Sequence, residues 1–348
     1  VIGVDDRVLC VTPFEEVAAA HPVAMEFFEE MGLPLPPAGM SAEVLFSSLD
    51  EFVLSDCGMG SDQLCEAFTA FVSRVEAVTE RAARRVGSLT LLGGHDKFGE
   101  AEELDLTVRA GEVACVVGPT GSGKSRLLED IEYLAQGDTP TGRRVLVDGA
   151  VPCDEERFSA ECHLVAQLSQ GMNFVMDLAV QEFLTLHAQS RLGDATDVGE
   201  LVAHTVACAN ELTGERFGPE TSLTQLSGGQ SRALMIADVA LVGTAPVVLV
   251  DEIENAGVDR GRALDLLTGS DKIVFVVTHD PLIALSGDYR LAVAGGAIRR
   301  VVRSGDAERA NAAVLRRIDG VLAALRDRVR AGETVEEDIA RDVRGVLG

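Results

Sequence analysis

Gly118-Pro119-Thr120-Gly121-Ser122-Gly123-Lys124-Ser125 sets the architecture expected of this chain. The octapeptide has the form G-x-x-x-x-G-K-[ST] and follows the apolar run Val113–Val117. The pattern predicts a strand, a tight loop and then a helix over Lys124–Leu134, the context in which such a loop cradles phosphate. Glycines let backbone amides turn inward around an anion without side-chain clash. The helix N-terminus adds partial positive charge. Lys124 is placed to reach the β- and γ-phosphates of a nucleotide, and the Ser125 hydroxyl to bind Mg²⁺.

Downstream, Val247-Val248-Leu249-Val250 reads as a buried strand ending in two carboxylates, Asp251 and Glu252. Beside a phosphate loop, Asp251 is expected to hold Mg²⁺ and Glu252 to polarise the attacking water. Between and around these motifs, short apolar runs alternate with helical stretches. Strands are expected at Glu112–Val117, Arg144–Val147, His163–Ala166, Val247–Val250 and Ile273–Thr278, the signature of an α/β domain.

Leu226-Ser227-Gly228-Gly229-Gln230 lies between the loop and the Asp-Glu strand. With the two motifs above, in this order, the stretch from about 88 to 303 resembles the nucleotide-binding domain of ABC ATPases. The resemblance implies a P-loop NTPase fold of ABC type, with a mixed sheet core and a helical subdomain over about 171–240. It implies ATP and Mg²⁺ as ligands. Ser227, Gly228, Gly229 and Gln230 would face the phosphate loop of a second protomer. One loop and one signature per chain then require two chains, most simply a homodimer. His279, in Val276-Val277-Thr278-His279-Asp280, resembles the switch histidine that contacts the γ-phosphate. Of two candidates for the glutamine that touches Mg²⁺, Gln170 has the better spacing to the helix behind it, with Gln167 as the other. Phe98 is the aromatic in the neighbourhood where the family stacks adenine.

Some details depart from the family pattern. Ile253 follows the glutamate where proline is usual. Asp259 lies one residue further on than the family's interface-loop aspartate. Arg232 stands two residues after the signature glutamine instead of three, and Asp238-Val239 replaces a common Arg-Ala pair.

Outward from this core, residues 1–86 read as a helical N-terminal domain. Thr12, Pro13 and Glu15 suggest a capping box with proline at the first helical position. Pro22 is expected to interrupt that segment, and Gly32 and Pro34 to end it. Further helices are expected after Ser41 and Ser61, the last with Leu64, Phe68, Phe71, Val75 and Val78 on one face. Residues 87–303 form the ATPase domain, and 304–348 a C-terminal helical tail with Val314, Ile318, Leu322 and Leu325 at helical spacing.

Over 348 residues, 47% are apolar but only 4% aromatic, so an aliphatic core is expected. The net charge of −26 argues against nucleic acid as a partner and against broad contact with anionic lipid. Lysine occurs only at Lys97, Lys124 and Lys272. Asp5, Asp6 and Arg7 interrupt the first apolar residues, so no secretory signal is read. The long apolar stretch Ala233–Val250 carries Asp238, Gly243 and Pro246, and reads as a helix and a buried strand, with no membrane span. Seven scattered cysteines fit a reducing, cytoplasmic location. Cys57 and Cys65 flank Gly58-Met59-Gly60 and read as packed thiols, with a redox pair or half a metal site as the alternative.

The helical extension and the absence of a membrane segment favour an ATPase dimer whose closure does mechanical work on a soluble protein client. The alternative is the ATP-binding, energising subunit of a membrane ABC transporter working with a permease.

Overall fold

The computed structural model describes residues 8–82, 86–159, 163–169, 172–192, 198–251, 258–335, 339 and 344–345. The chain divides into two compact units, Val1–Arg84 and Arg85–Gly348.

The first unit is all helical: α1 (Val8–Val11), α2 (Phe14–Ala20), α3 (Ala24–Glu30), α4 (Ala42–Ser48), α5 (Glu51–Cys57) and α6 (Ser61–Ala82). Pro22 falls between α2 and α3, as its missing N–H requires, and Gly32 takes φ +64° after α3. Ser41 caps α4, its Oγ accepting the Val44 amide at 3.4 Å. The capping box expected at Thr12 does not form. Pro13 is itself the N-cap of α2, and the Thr12 hydroxyl donates instead to Val8 O, one turn back, at 2.7 Å. Leu64 and Phe68 of α6 are fully buried, as their spacing predicts, and Val72 joins them while Phe71 and Val75 are half-buried. The Val78 side chain lies outside the description.

This unit departs from the aliphatic expectation. Its core is a cluster of Phe14, Phe27, Phe28, Phe46 and Phe68, with Phe28 and Phe46 stacked at 5.6 Å. A unit this small has little interior, and large rings bury the most apolar area per residue. Cys65 is not a packed thiol. It forms a disulfide with Cys10 across 55 residues of sequence, with Cα atoms 5.9 Å apart, whereas Cys57 is free and half-buried. Among the described residues no group of His, Cys, Asp and Glu is arranged to hold a metal ion.

The second unit holds two sheets. β1 (Ser88–Leu92), β2 (Asp105–Arg109) and β4 (Arg144–Val147) form an antiparallel sheet ordered β2-β1-β4. The main sheet, ordered β5-β6-β7-β3-β8-β9, contains β3 (Val113–Val117), β5 (Val165–Leu168), β6 (Val247–Asp251), β7 (Ile273–Val277), β8 (Tyr289–Ala294) and β9 (Ala297–Arg303). It is parallel except for the β8–β9 hairpin. This is the mixed-sheet P-loop NTPase core expected of an ABC-type domain. The observed β5 starts two residues later than the sequence suggests.

The central strands read as continuous apolar runs because both faces are covered. On one face Ala114, Val116, Leu249 and Phe275 meet Leu127 and Ile131 of α7 (Lys124–Glu132), with Leu89, Leu91 and Val145 of the antiparallel sheet. On the other, Cys115, Val248, Val250 and Val276 meet α11 (Gly228–Leu241), α12 (Arg260–Thr268) and α13 (Pro281–Ser286) through Ile236, Leu267 and Ile283. Burial there pushes the Cys115 thiol up to about 12. After the short helix α8 (Asp154–Phe158), α9 (Val180–Leu192) and α10 (Val198–Leu212) pack with α11 around Leu184, Val206 and Leu234 as the helical subdomain. The long helix α14 (Asp306–Arg330) follows the hairpin, and Gly332 stands just past its end at φ +76°.

Candidate functional site

Strand register brings the predicted motifs to one edge. Val116 pairs with Val277, and Val277 pairs with Asp251. The phosphate loop after β3, His279 after β7 and Asp251 at the end of β6 therefore leave the sheet at the same level, on its carboxyl side. Crevices at that edge are where open α/β sheets bind ligands. Leu168 pairs with Val250, so the end of β5 arrives there too.

The loop is shaped by glycine. Gly123 has φ +107°, and a Cβ on it would sit 2.8 Å from the Gly296 Cα in the β8–β9 turn. Gly118 has φ +157°, and its Cβ would lie 2.3 Å from Val293 O. Neither position admits another residue without moving backbone. The Gly296 amide in turn donates to Ser122 O at 2.8 Å, holding the loop from behind. Lys124 is buried at the start of α7, its Nζ donating to Gly118 O at 2.8 Å and Pro119 O at 3.1 Å. Ser125 follows it, exposed, and Thr120 and Gly121 are exposed on the rim. Ser122 Oγ is buried and, among the described residues, has no hydrogen-bond partner.

These residues fit a nucleotide and its divalent ion: a backbone cradle, a buried orphan hydroxyl, an ammonium and a hydroxyl at a helix start, and an aspartate at the sheet edge. Ser125 and Asp251 would hold Mg²⁺, which when bound neutralises charge on the phosphates. Gln170 and Glu252 lie outside the described residues. Gln167 is half-buried within β5.

Phe98 is 76% exposed, with Lys97 Nζ 5.0 Å above its ring. Its loop is nonetheless fixed. The Lys97 amide donates to Gly295 O at 3.0 Å, and Asp96 Oδ1 accepts the Phe98 and Glu100 amides at 2.8 and 2.9 Å. Burial works against the Asp96 carboxylate, but those amides and the Arg299 guanidinium outweigh it and hold it below the ordinary carboxylate range. An aromatic face presented on a pinned loop beside the Gly295-Gly296 turn can stack on a planar base.

The signature stands on the helical subdomain. Ser227 caps α11, its Oγ accepting the Gln230 amide at 3.3 Å while Gln230 Oε1 accepts the Ser227 amide at 2.8 Å. Gln230 Nε2 donates to Glu215 O at 3.2 Å. Ser227 and Gly228 are exposed, and open space surrounds the position of a Gly228 Cβ. The Ser227–Gln230 bonds close the cap, Gln230 ties it to Glu215, and a glycine-lined helix N-terminus is left facing outward, suited to an anion brought by another molecule.

Two buried arginines beside the site escaped the motif reading. Arg232, noted only as a departure from pattern, is buried. It donates from Nη1 to Ser169 O at 2.6 Å and from Nη2 to Asp251 O at 2.7 Å. It thereby ties the signature helix to the ends of β5 and β6. Arg143 is fully buried behind the loop, paired with Glu102 and Asp130 at 2.7 and 2.8 Å and donating to Gly296 O at 2.8 Å. Burial alone would lower its pKa, but Glu102 and then Asp130 raise it above the ordinary guanidinium value. No local spacing marks either arginine, since the carboxylates and carbonyls their guanidinium groups meet are far off in sequence.

The chain is similar to known proteins of one family. The family described as ABC transporter matches residues 101–255. An uncharacterized ABC transporter ATP-binding protein of Methanocaldococcus jannaschii is 45% identical over 262 residues, covering 75% of this chain and 99% of the relative. The thiamine import ATP-binding protein ThiQ of Chelativorans sp. is 32% identical over 193 residues, covering 53% of this chain and 72% of its own length. Among solved structures, a dimeric ATP-binding cassette in a post-hydrolysis state bound to ADP and Pi superposes with a TM-score of 0.47. It is 24% identical and covers 62% of this chain and 98% of that one.

Proposed function

Because the chain belongs to the ABC transporter family of ATP-binding proteins, we propose that it binds and hydrolyses Mg²⁺-ATP as the energising subunit of a membrane transporter. Two copies would sandwich two nucleotides. The carrying observation is the convergence of Gly118–Ser125, Asp251 and His279 on one sheet edge, with the signature on a separate, outward-facing helix end. In this reading Lys124 and the loop amides bind the phosphates and Phe98 stacks on the base. Ser125, Asp251 and Gln170 hold the metal, and Glu252 and His279 serve hydrolysis. The Ser227 cap engages the partner's γ-phosphate.

The soluble client favoured by the sequence finds no support among the relatives, which carry transporter names. Among the described residues no helix is long and apolar enough to cross a membrane, so a permease would be a separate chain or segment. The segment before α9 exposes Met172, Val175 and Met176, and a groove of about 830 Å³ between α9 and α10 is lined by Leu178, Leu186 and Val206. Apolar surface of this kind suits a partner protein.

Glu252→Gln tests the core of the reading. The variant should bind ATP, fail to hydrolyse it and accumulate as a dimer by light scattering with ATP and Mg²⁺. A variant that stays monomeric at saturating ATP overturns the homodimer. Affinity purification from solubilised native membranes should recover a polytopic protein, and recovery of only soluble partners would restore the client reading.

A further inference from the structure

Arg260 opens α12 immediately after Asp259, and its guanidinium reaches carboxylates on two other elements. Nη1 bonds Asp280 Oδ2, and Nη2 bonds both carboxylate oxygens of Asp319, at 3.2 and 3.1 Å. Asp280 is the residue after His279. Its second oxygen accepts the Leu282 amide at 2.7 Å, capping α13, and its own amide donates to Thr278 Oγ1 at 3.0 Å. Asp319 lies in the second half of α14. The side chains of Arg260 and Asp280 are 19% and 17% exposed, so the pair is largely withdrawn from solvent, where ionic contacts hold geometry better than on an open surface.

One guanidinium therefore joins the helix that follows the Asp259 loop, the switch segment carrying His279, and the C-terminal helix. Removing Asp319 would leave Arg260 with a single carboxylate and free its Nη2 edge to turn toward water. The guanidinium plane that orients Asp280 would then be held at one end only. Asp280 follows His279 directly and caps α13, so a shift of the Asp280 backbone carries the His279 segment with it. We propose that α14 is a working part of the ATPase: Asp319 and Arg260 are positioning residues that hold the His279 segment in the geometry hydrolysis needs, and any partner that lifts α14 slows turnover. This rests on the ATPase reading above.

The test uses the full chain. Asp319→Asn should lower kcat for ATP by roughly three- to fivefold, the range a partly exposed ion pair supports. KM should stay within about twofold, because the loop that binds the phosphates is untouched. Asp319→Glu should restore most of the rate. Arg260→Gln should fall at least as far, since it also releases Asp280, and the double variant should lose no more than Arg260→Gln, since Asp319 acts through Arg260. Arg309→Gln, which breaks a surface pair of α14 with Asp288, should leave the rate unchanged. Hydrogen exchange at the Asp280 and Leu282 amides should quicken in Asp319→Asn by a similar factor, a readout that survives even if the rate is hard to measure.

A wild-type rate in Asp319→Asn, losses that multiply in the double variant, or unchanged exchange at Asp280 and Leu282 each overturns the proposal. Glu252→Gln in the same assay separates the two readings. If wild type hydrolyses ATP and Glu252→Gln does not, the ATPase reading stands whatever Asp319→Asn does. If wild type itself lacks activity, the ATPase reading falls and takes this one with it.

Discussion

Replacing Arg143 with Met should unfold the cassette at a markedly lower temperature. The Arg143, Glu102 and Asp130 side chains are all within 1% of complete burial. The guanidinium makes four hydrogen bonds, two to Glu102, one to Asp130 and one to Gly296 O. Glu102 also accepts the Ile298 amide, and Asp130 accepts the Thr141 hydroxyl at 2.8 Å. Arg143 supplies the positive charge of the triad, so its removal leaves two carboxyl groups in the interior with no counter-charge. Breaking a buried pair from one side costs about 3–5 kcal/mol, because the remaining charge is stranded. For a unit of this size each kcal/mol moves Tm by roughly 2–4 °C, so the shift should be about 6–20 °C. Calorimetry can follow the transition that rises on adding ATP, which marks the unit that binds it. Arg143→Lys should lose less, since it keeps the charge but not the fork. Combining Arg143→Met with Glu102→Gln and Asp130→Asn should recover part of the loss, because the stranded charges are gone. A drop of less than about 3 °C in Arg143→Met would falsify the reasoning, as would a triple variant no more stable than the single one.

Lys124→Ala should weaken ATP binding tens- to hundredfold by calorimetry, the consequence of losing about 1.5–3 kcal/mol of charge-assisted contact. Undiminished affinity would remove the loop from the site. Lys272 is buried against Gly243 O and Ala245 O, both at 2.8 Å, and burial lowers its pKa from 10.5 to about 8. The folded state then binds fewer protons than the unfolded between those values. The burial penalty is therefore fully present below pH 8 and relieved as pH rises toward 10.5. Urea unfolding at pH 7 and pH 10 should show wild type gaining on Lys272→Met, and a constant difference would contradict the burial argument. Reducing Cys10–Cys65, which closes a loop of 55 residues, should destabilise the N-terminal unit by about 2–4 kcal/mol. A denaturation midpoint for that unit that is indifferent to reductant would show the bridge to be incidental.

The phosphate loop, the Asp251 strand and the signature were legible because their chemistry needs particular residue types consecutive in the chain. A glycine turn must sit next to the lysine and the helix start it serves, so the information is local. The same holds for the central strands β3, β6 and β7, whose unbroken apolar runs announce burial on both faces. Hairpin β8–β9 was not read, although its Gly295-Gly296 turn supports both the loop at Ser122 and the Phe98 segment. The signal was local all the same: Gly295-Gly296 is a two-residue turn between Tyr289–Ala294 and Ala297–Arg303, the spacing of a hairpin. The capping box at Thr12 failed because a hydroxyl can satisfy the preceding turn as readily as the next. Residues 102, 130 and 143, or 260, 280 and 319, form no pattern at any helical or strand period. Register in the main sheet and the packing of α7 and α14 bring those charges together. Burial then makes each pairing count, because a charge withdrawn from water must find its partner wherever the fold has placed one.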